Sequence, residues 1–244
     1  MDFNNIHFGL VRTFDPGNIG SAFRGLINMG FENLWVINPI NYIPKTIEMM
    51  AAGTRDRLDL LKKTDSVFDF AKDLDVVYGL TARNRKMYEQ ISVNELIAEL
   101  ENKKYQNIGF LFGNETNGLT NDELKYAKKT VFIQTSEEKP VLNLAQSVII
   151  ISYEIRKLLL DKRNNKKSKP KNFNYISLKK KEKLFNNMFK IFSEVFFKKE
   201  KRISKKKKIL FNSIKRWDLT KTEFKYFNNM FIKLSRILKK KEEK

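Results

Sequence analysis

The sequence has no cysteine. Disulfides, thiolate zinc sites and cysteine nucleophiles are excluded with it. A single histidine, His7, lies in an apolar run. A paired-histidine metal site is thereby excluded, the apolar setting of His7 argues against a Ser–His dyad, no bound metal is expected, and His7 reads as structural. There is no Gly-x-Gly-x-x-Gly and no Walker sequence, so dinucleotide and nucleoside-triphosphate binding lose support. No long uninterrupted apolar run occurs. Residues 142–160 come nearest, but Asn143, Gln146, Glu154, Arg156 and Lys157 interrupt them, which predicts a buried helix and no membrane span. The start, Met1-Asp-Phe-Asn-Asn, has neither the basic residues nor the apolar core of a signal peptide. A cytoplasmic, reducing location is expected.

Acidic residues are scarce in one half of the chain. Residues 161–244 hold 29 Lys and Arg against 8 Asp and Glu, a balance of +21, whereas the first 160 hold 19 and 20, a balance of −1. A basic segment beside a near-neutral one is the electrostatic footprint expected for a nucleic-acid partner. The chain is rich in Lys, Asn, Phe and Ile, so part of that charge also fits a simple solvated face.

What is present is a long alternation of strand and helix patterns. Residues 6–11, 33–37, 75–80, 108–112 and 130–134 read as strands. Residues 20–29, 64–71, 93–100, 121–128 and 142–160 read as helices. Asn18 is the expected N-cap of the first helix, and Gly30 its C′ glycine. Ser92 with Glu95 predicts a capping box for the third. Residues 49–53 are expected to begin a short helix and turn, and residues 58–61 fit a short strand or a helix end. Alternation of this kind predicts an α/β fold: a parallel sheet with helices on both faces. The polar residues 161–175 read as a linker. Beyond them the period becomes helical, predicting a small all-α extension over 176–244. There Leu184, Phe185, Met188, Phe189, Phe192, Val195 and Phe196 mark one inner face, and Ile209, Leu210, Phe211, Ile214 and Trp217 a second. A third helix opens with a Thr220–Glu223 capping box and carries Phe224, Phe227, Met230, Phe231, Leu234, Ile237 and Leu238. These aromatics, at helical spacing, are expected in the core.

Three stretches stand apart. Phe110-Leu-Phe-Gly-Asn-Glu-Thr-Asn-Gly-Leu-Thr120 is an apolar strand running into a loop bounded by Gly113 and Gly118, with Glu115 as its one acid. Such loops, at the carboxyl ends of parallel strands, are where α/β proteins hold ligands. The others are Asn18-Ile-Gly-Ser-Ala-Phe-Arg24 and Pro140-Val-Leu-Asn-Leu-Ala-Gln146. Together they resemble the SPOUT class of RNA methyltransferases, and within it the TrmJ branch of the TrmH family, the tRNA (cytidine/uridine) 2′-O-methyltransferases.

That resemblance implies a deep C-terminal trefoil knot, S-adenosylmethionine as cofactor, and a homodimer in which Arg24 faces the partner's donor pocket. It implies a donor pocket made from Leu80, Thr81, Gly113, Glu115, Gly118, Leu119, Ile133, Leu142 and Asn143, with residues 1–160 as the methyltransferase domain. Arg24 and Asn18 are the implied catalytic pair. A guanidinium does not give up its proton, so Arg24 fits a phosphate clamp and oxyanion stabiliser better than a general base. Arg12, Arg83 and Arg85, on loops at the same edge, are candidate RNA contacts. Glu115 fits two roles, orienting the pocket or tying its loop. The expected substrate is tRNA, at anticodon-loop position 32. Ribosomal RNA, another tRNA position, or an inactive RNA-binding protein of the same fold are the alternatives. One departure is Val141, where bacterial members often carry a serine implicated in activity.

Overall fold

A computed structural model describes residues 2–85, 87–103, 105–164, 174–196 and 203–242. They form two compact units, dividing between Asn172 and Phe173.

In the first unit, strand β1 (Ile6–Val11) leads into α1 (Pro16–Asn28), β2 (Asn33–Ile37), α2 (Pro44–Met50), β3 (Lys62–Thr64) and α3 (Val67–Ala71). Then follow β4 (Val76–Leu80), β5 (Gln90–Ser92), α4 (Val93–Asn102), β6 (Ile108–Phe112), α5 (Asn121–Leu124), β7 (Lys129–Phe132) and α6 (Leu144–Asn164). The strands make one seven-stranded sheet in the order β3-β2-β1-β6-β4-β7-β5, parallel at every pairing. Every residue of β4 and β6 is buried, as strands covered on both faces require. Register puts Phe8, Phe110 and Tyr78 side by side across β1, β6 and β4. The rings of Phe8 and Phe110 sit 5.7 Å apart, and those of Tyr78 and Phe110 5.9 Å apart. On the opposite face Phe70 of α3 covers Gly9 and Gly109, and Leu124 of α5 covers Gly79. The expected α/β sheet with helices on both faces is thus present. His7 is half-buried, and burial with the nearby Lys62 charge pushes it down to about 4; it is a neutral structural residue at neutral pH.

Helix α1 is squeezed between two neighbours. A Cβ at Gly20 would strike the Ile47 carbonyl of α2, and one at Gly25 would lie 2.6 Å from Ile149 Cγ1 of α6. Glycine here buys close helix approach.

Several local expectations need correction. Asp15, not Asn18, caps α1, because its carboxylate accepts from Gly17 N–H and Pro16 supplies the first helical residue. Residues 49–53 end α2 instead of beginning a helix. A 3-10 turn, Arg55–Leu60, precedes β3, and α3 starts at Val67 under a Ser66 cap. Helix α5 is one turn long. Strand β5 was not foreseen; its three residues gain their identity from pairing with β7. Helix α6 continues to Asn164, into the stretch expected as linker. Residues 165–173 of that stretch lie outside the described residues.

The second unit holds α7 (Leu178–Phe196), α8 (Ile203–Lys215) and α9 (Lys221–Glu242). Leu184, Ile176 and Leu219 pack with Phe224, Phe227 and Phe231. Phe185, Met188 and Ile214 gather Phe189, Phe192, Leu210 and Phe211. Thr220 and Glu223 make the expected capping box. The inner faces are shorter than the periodicity implied: Val195, Ile209, Trp217, Met230, Leu234 and Ile237 are exposed. The side chain of Phe196 lies outside the described residues.

Candidate active site

The exits of β4, β6 and β7, three adjacent strands, enclose a cavity of about 150 Å³. Leu80, Thr81 and Arg83 come from the first exit, Phe112 to Thr116 and Gly118 from the second, and Val131, Ile133, Pro140, Val141, Leu142, Leu144 and Ser147 from the third. Of the nine expected donor residues, Leu80, Thr81, Gly113, Glu115, Gly118, Ile133 and Leu142 line this cavity. Leu119 is fully buried, against the Gly79 position. Asn143 stands at the head of α6, its side-chain oxygen accepting from Ala145 N–H at 2.8 Å.

The loop between β6 and α5 uses glycine at two positions for two reasons. A Cβ at Gly113 would run into the backbone of Gly118 and Leu119, and Gly118 has φ +63. Asn114, which sequence reasoning passed over, is the pivot. Its oxygen accepts from Thr116 and Asn117 N–H, and its amide donates to Arg12 O at 2.8 Å. The Asn-x-Thr-Asn-Gly turn chemistry was the available signal.

Glu115 ties two stretches together. Its carboxylate accepts from Phe14 N–H at 2.9 Å, Asp15 N–H at 3.2 Å and Asn18 Nδ2 at 2.9 Å. Burial works to raise this carboxyl, but the hydrogen bonds from Phe14, Asn18 and Asp15 outweigh it and hold it below the ordinary value. Asn18 is buried, and its oxygen accepts from Asn143 Nδ2 at 2.9 Å. The three motifs therefore meet in one chain: Glu115, Asn18, Asn143.

The four arginines singled out from the sequence divide into two pairs. Arg12 donates to Glu123 and to Gly118 O, and Arg85 to Leu119 O and Asn121 Oδ1. The Glu123 hydrogen bond holds the Arg12 guanidinium above its ordinary value. Burial opposes ionisation of Glu123, but Arg12 and Thr120 overcome it and keep the carboxyl low. Arg24 and Arg83 are exposed. Arg83 borders the cavity; Arg24 does not. Among the described residues no group of three or more His, Cys, Asp or Glu could hold a metal ion.

This geometry has known counterparts. Residues 5–153 match the SpoU rRNA Methylase family. The tRNA (cytidine/uridine-2′-O-)-methyltransferase TrmJ of Citrobacter koseri is 34% identical over 166 residues, 66% of this chain and 67% of that protein. The crystal structure of TrmJ from Z. mobilis ZM4 superposes with a TM-score of 0.78 over 94% of this chain and 98% of its own, at 21% identity. The SpoU methyltransferase AviRb from Streptomyces viridochromogenes, in complex with the cofactor AdoMet, superposes at 0.52 over 65% and 62%, at 24% identity. Both superpositions speak to the fold. The sequence resemblance to the TrmJ branch is borne out, and the parallel sheet with its helices fits the SPOUT fold. More than half the chain answers to one family and a relative one-third identical spans two thirds of both proteins, so the chain belongs to the SpoU rRNA methylase family.

Proposed function

We propose that the protein is an S-adenosylmethionine-dependent ribose 2′-O-methyltransferase acting on tRNA, with the anticodon-loop nucleotide 32 as its target. The observation that carries this reading is the cavity at the ends of β4, β6 and β7, floored by a loop that packs backbone against backbone at Gly113. S-adenosylmethionine fits its residues. Leu80, Ile133 and Leu142 offer apolar walls for an adenine, and Gly113 leaves the backbone open to close approach. When bound, the cofactor supplies a methyl group already activated by its sulfonium. The name of the Citrobacter relative, which specifies tRNA and the 2′-O position, supports the substrate class.

The protein's own task is to bring a ribose hydroxyl into line and to favour its oxyanion. Arg24, exposed and with no side-chain hydrogen bond or ion pair among the described residues, grips the adjoining phosphate and stabilises the charge that develops on the oxygen. Arg83 supplies a second phosphate contact at the cavity rim. Asn18 and Glu115 hold the first turn of α1, and so the direction of Arg24. Val141 is 71% exposed and carries no hydroxyl, so no proton passes through that position. Arg24 stands outside its own cavity, which supports a homodimer in which it serves the partner's; exposed Ile149, Tyr153 and Leu160 on α6 make part of that contact. The unit that ends with α6 at Asn164 forms the catalytic domain, knotted as in its class. The basic helical unit, 176–244, grips RNA backbone without sequence preference. No helix among the described residues is long and apolar enough to cross a membrane, and the protein works in the cytoplasm.

The test is methyl transfer from labelled S-adenosylmethionine to unmodified tRNA, with mapping of ribose-methylated sites. One anticodon-loop methylation, lost in Arg24→Ala, is the expected result. Transfer to ribosomal RNA alone would move the substrate. A chain that binds RNA but no cofactor would be an inactive scaffold.

A further inference from the structure

Two arginines that follow different strands end on consecutive carbonyls of one loop. Arg12 is the first residue after β1. Its Nη2 donates to Gly118 O at 3.1 Å, and its Nε and Nη2 reach the Glu123 carboxylate at 2.5 and 3.2 Å. Arg85 lies beyond β4. Its Nη2 donates to Leu119 O at 2.7 Å and its Nη1 to Asn121 Oδ1 at 3.2 Å. Glu123 in turn accepts from Thr120 N–H. A peptide unit is planar, so fixing the carbonyls of Gly118 and Leu119 also fixes the N–H groups of Leu119 and Thr120, on the far sides of those planes. The orientation of the loop that floors the cavity is thus set by two guanidinium groups outside it.

Arg12 holds an uncommon backbone conformation to do this. Its φ is 51°, in the left-handed region that costs a non-glycine residue energy and persists only where neighbours enforce it. Here Asn114 Nδ2 donates to Arg12 O at 2.8 Å and Arg12 N–H donates to Ile37 O at 2.9 Å. Its charge is already matched: the Arg12 side chain is 25% exposed and the Glu123 side chain 13%. A guanidinium locked on a carboxylate and a carbonyl has little left for a phosphate. Arg24 and Arg83, one helix and one loop away, are exposed and suit that work better.

We infer that Arg12 and Arg85 are positioning residues for the cofactor loop, setting affinity for S-adenosylmethionine and leaving affinity for RNA unchanged. This rests on the proposed function. The fork geometry of arginine is essential to it, since a lysine keeps the charge but cannot bond two acceptors in one plane.

The test uses the full chain with Arg12→Lys and Arg85→Lys. Cofactor affinity is measured by calorimetry, tRNA affinity by filter binding, and both KM values are compared with kcat. Each variant is expected to weaken cofactor binding about tenfold, as loss of a charge-assisted hydrogen bond does. The cofactor KM rises with it, while kcat and tRNA affinity stay near wild type. Adding Glu123→Gln to Arg12→Lys is expected to cost little more. Lysine variants that keep wild-type cofactor affinity, or that lose tRNA affinity alone, would overturn the inference. If the wild-type protein binds no cofactor, the proposed function falls. The inference is then read from amide exchange in the free protein: faster exchange across 113–121 in Arg12→Lys, with strand protection retained, upholds it, and unchanged exchange overturns it.

Discussion

Asn143 donates its side-chain amide to the Asn18 oxygen at 2.9 Å, across 125 residues of chain. Asn18 passes its own amide on to Glu115. An amide has one donor end and one acceptor end, and here both ends are committed, so the Asn18 side chain has one orientation. Asn18→Ala removes both bonds. Asn18→Asp is expected to do more harm, because it sets a carboxylate against the Glu115 carboxylate, and like charges disfavour the ionised pair. Activity of the aspartate variant should recover in part as pH is lowered, and that of the alanine variant should not. Parallel pH–rate profiles of the two variants check this.

The two loop glycines separate close approach from backbone conformation. Gly113→Ala forces a Cβ into the Gly118–Leu119 backbone, and the loop must move, at a cost of about 1–3 kcal/mol. Cofactor binding should be lost while the sheet persists by circular dichroism. At Gly118 there is open space but a φ of +63, so alanine costs about 1–2 kcal/mol. Gly118→Ala should weaken cofactor binding, and Gly118→Asn, which tolerates left-handed backbone, should restore most of it. Calorimetric titration with S-adenosylmethionine distinguishes the three.

The helical unit should grow more stable as pH rises above neutrality. Burial, with the Arg216 and Lys208 charges, lowers Lys215 to about 7 from an ordinary 10.5. Between those values the unfolded chain holds the proton and the folded one does not, so stability rises with pH across that window. Below 7 both states are charged and the penalty is constant. Lys215→Met should raise the melting temperature at pH 7 and flatten the slope. Trp217 fluorescence, in a Trp35→Phe background, follows this unit alone.

Apolar positions along α9 should differ in weight. Leu234 and Ile237 are 40% and 54% exposed, and alanine there should change stability by no more than about 0.5 kcal/mol. Leu184 on α7 is fully buried, and Leu184→Ala should cost about 2–5 kcal/mol. Urea melts of the variants supply the comparison.

Signals that live within a few residues were legible in the sequence. An apolar strand broken by Gly113 announced the cavity floor, and the Ser92–Glu95 and Thr220–Glu223 pairs announced two helix starts. The cap of α1 was placed three residues late because Asn18 is a good cap by type; the Asp15-Pro16 pair is better, and it freed Asn18 for Glu115. Strand β5 is too short and mixed to show a period. Helical periodicity marked a stripe on α9 without saying how far α7 would cover it. The Arg12–Glu123 pair spans 111 residues and no local pattern contains it, so Arg12, Arg83 and Arg85 looked alike from sequence.

Helix α1, wedged by Gly20 against α2 and by Gly25 against α6, has a consequence for synthesis. The first helix made is seated by the last helix of its unit. A growing chain emerges amino end first, so the Gly25 side of α1 stays open until residues 144–164 arrive to cover it. Until the ribosome has released them, α1 has only one of its two helix neighbours, and the unit closes with its far end.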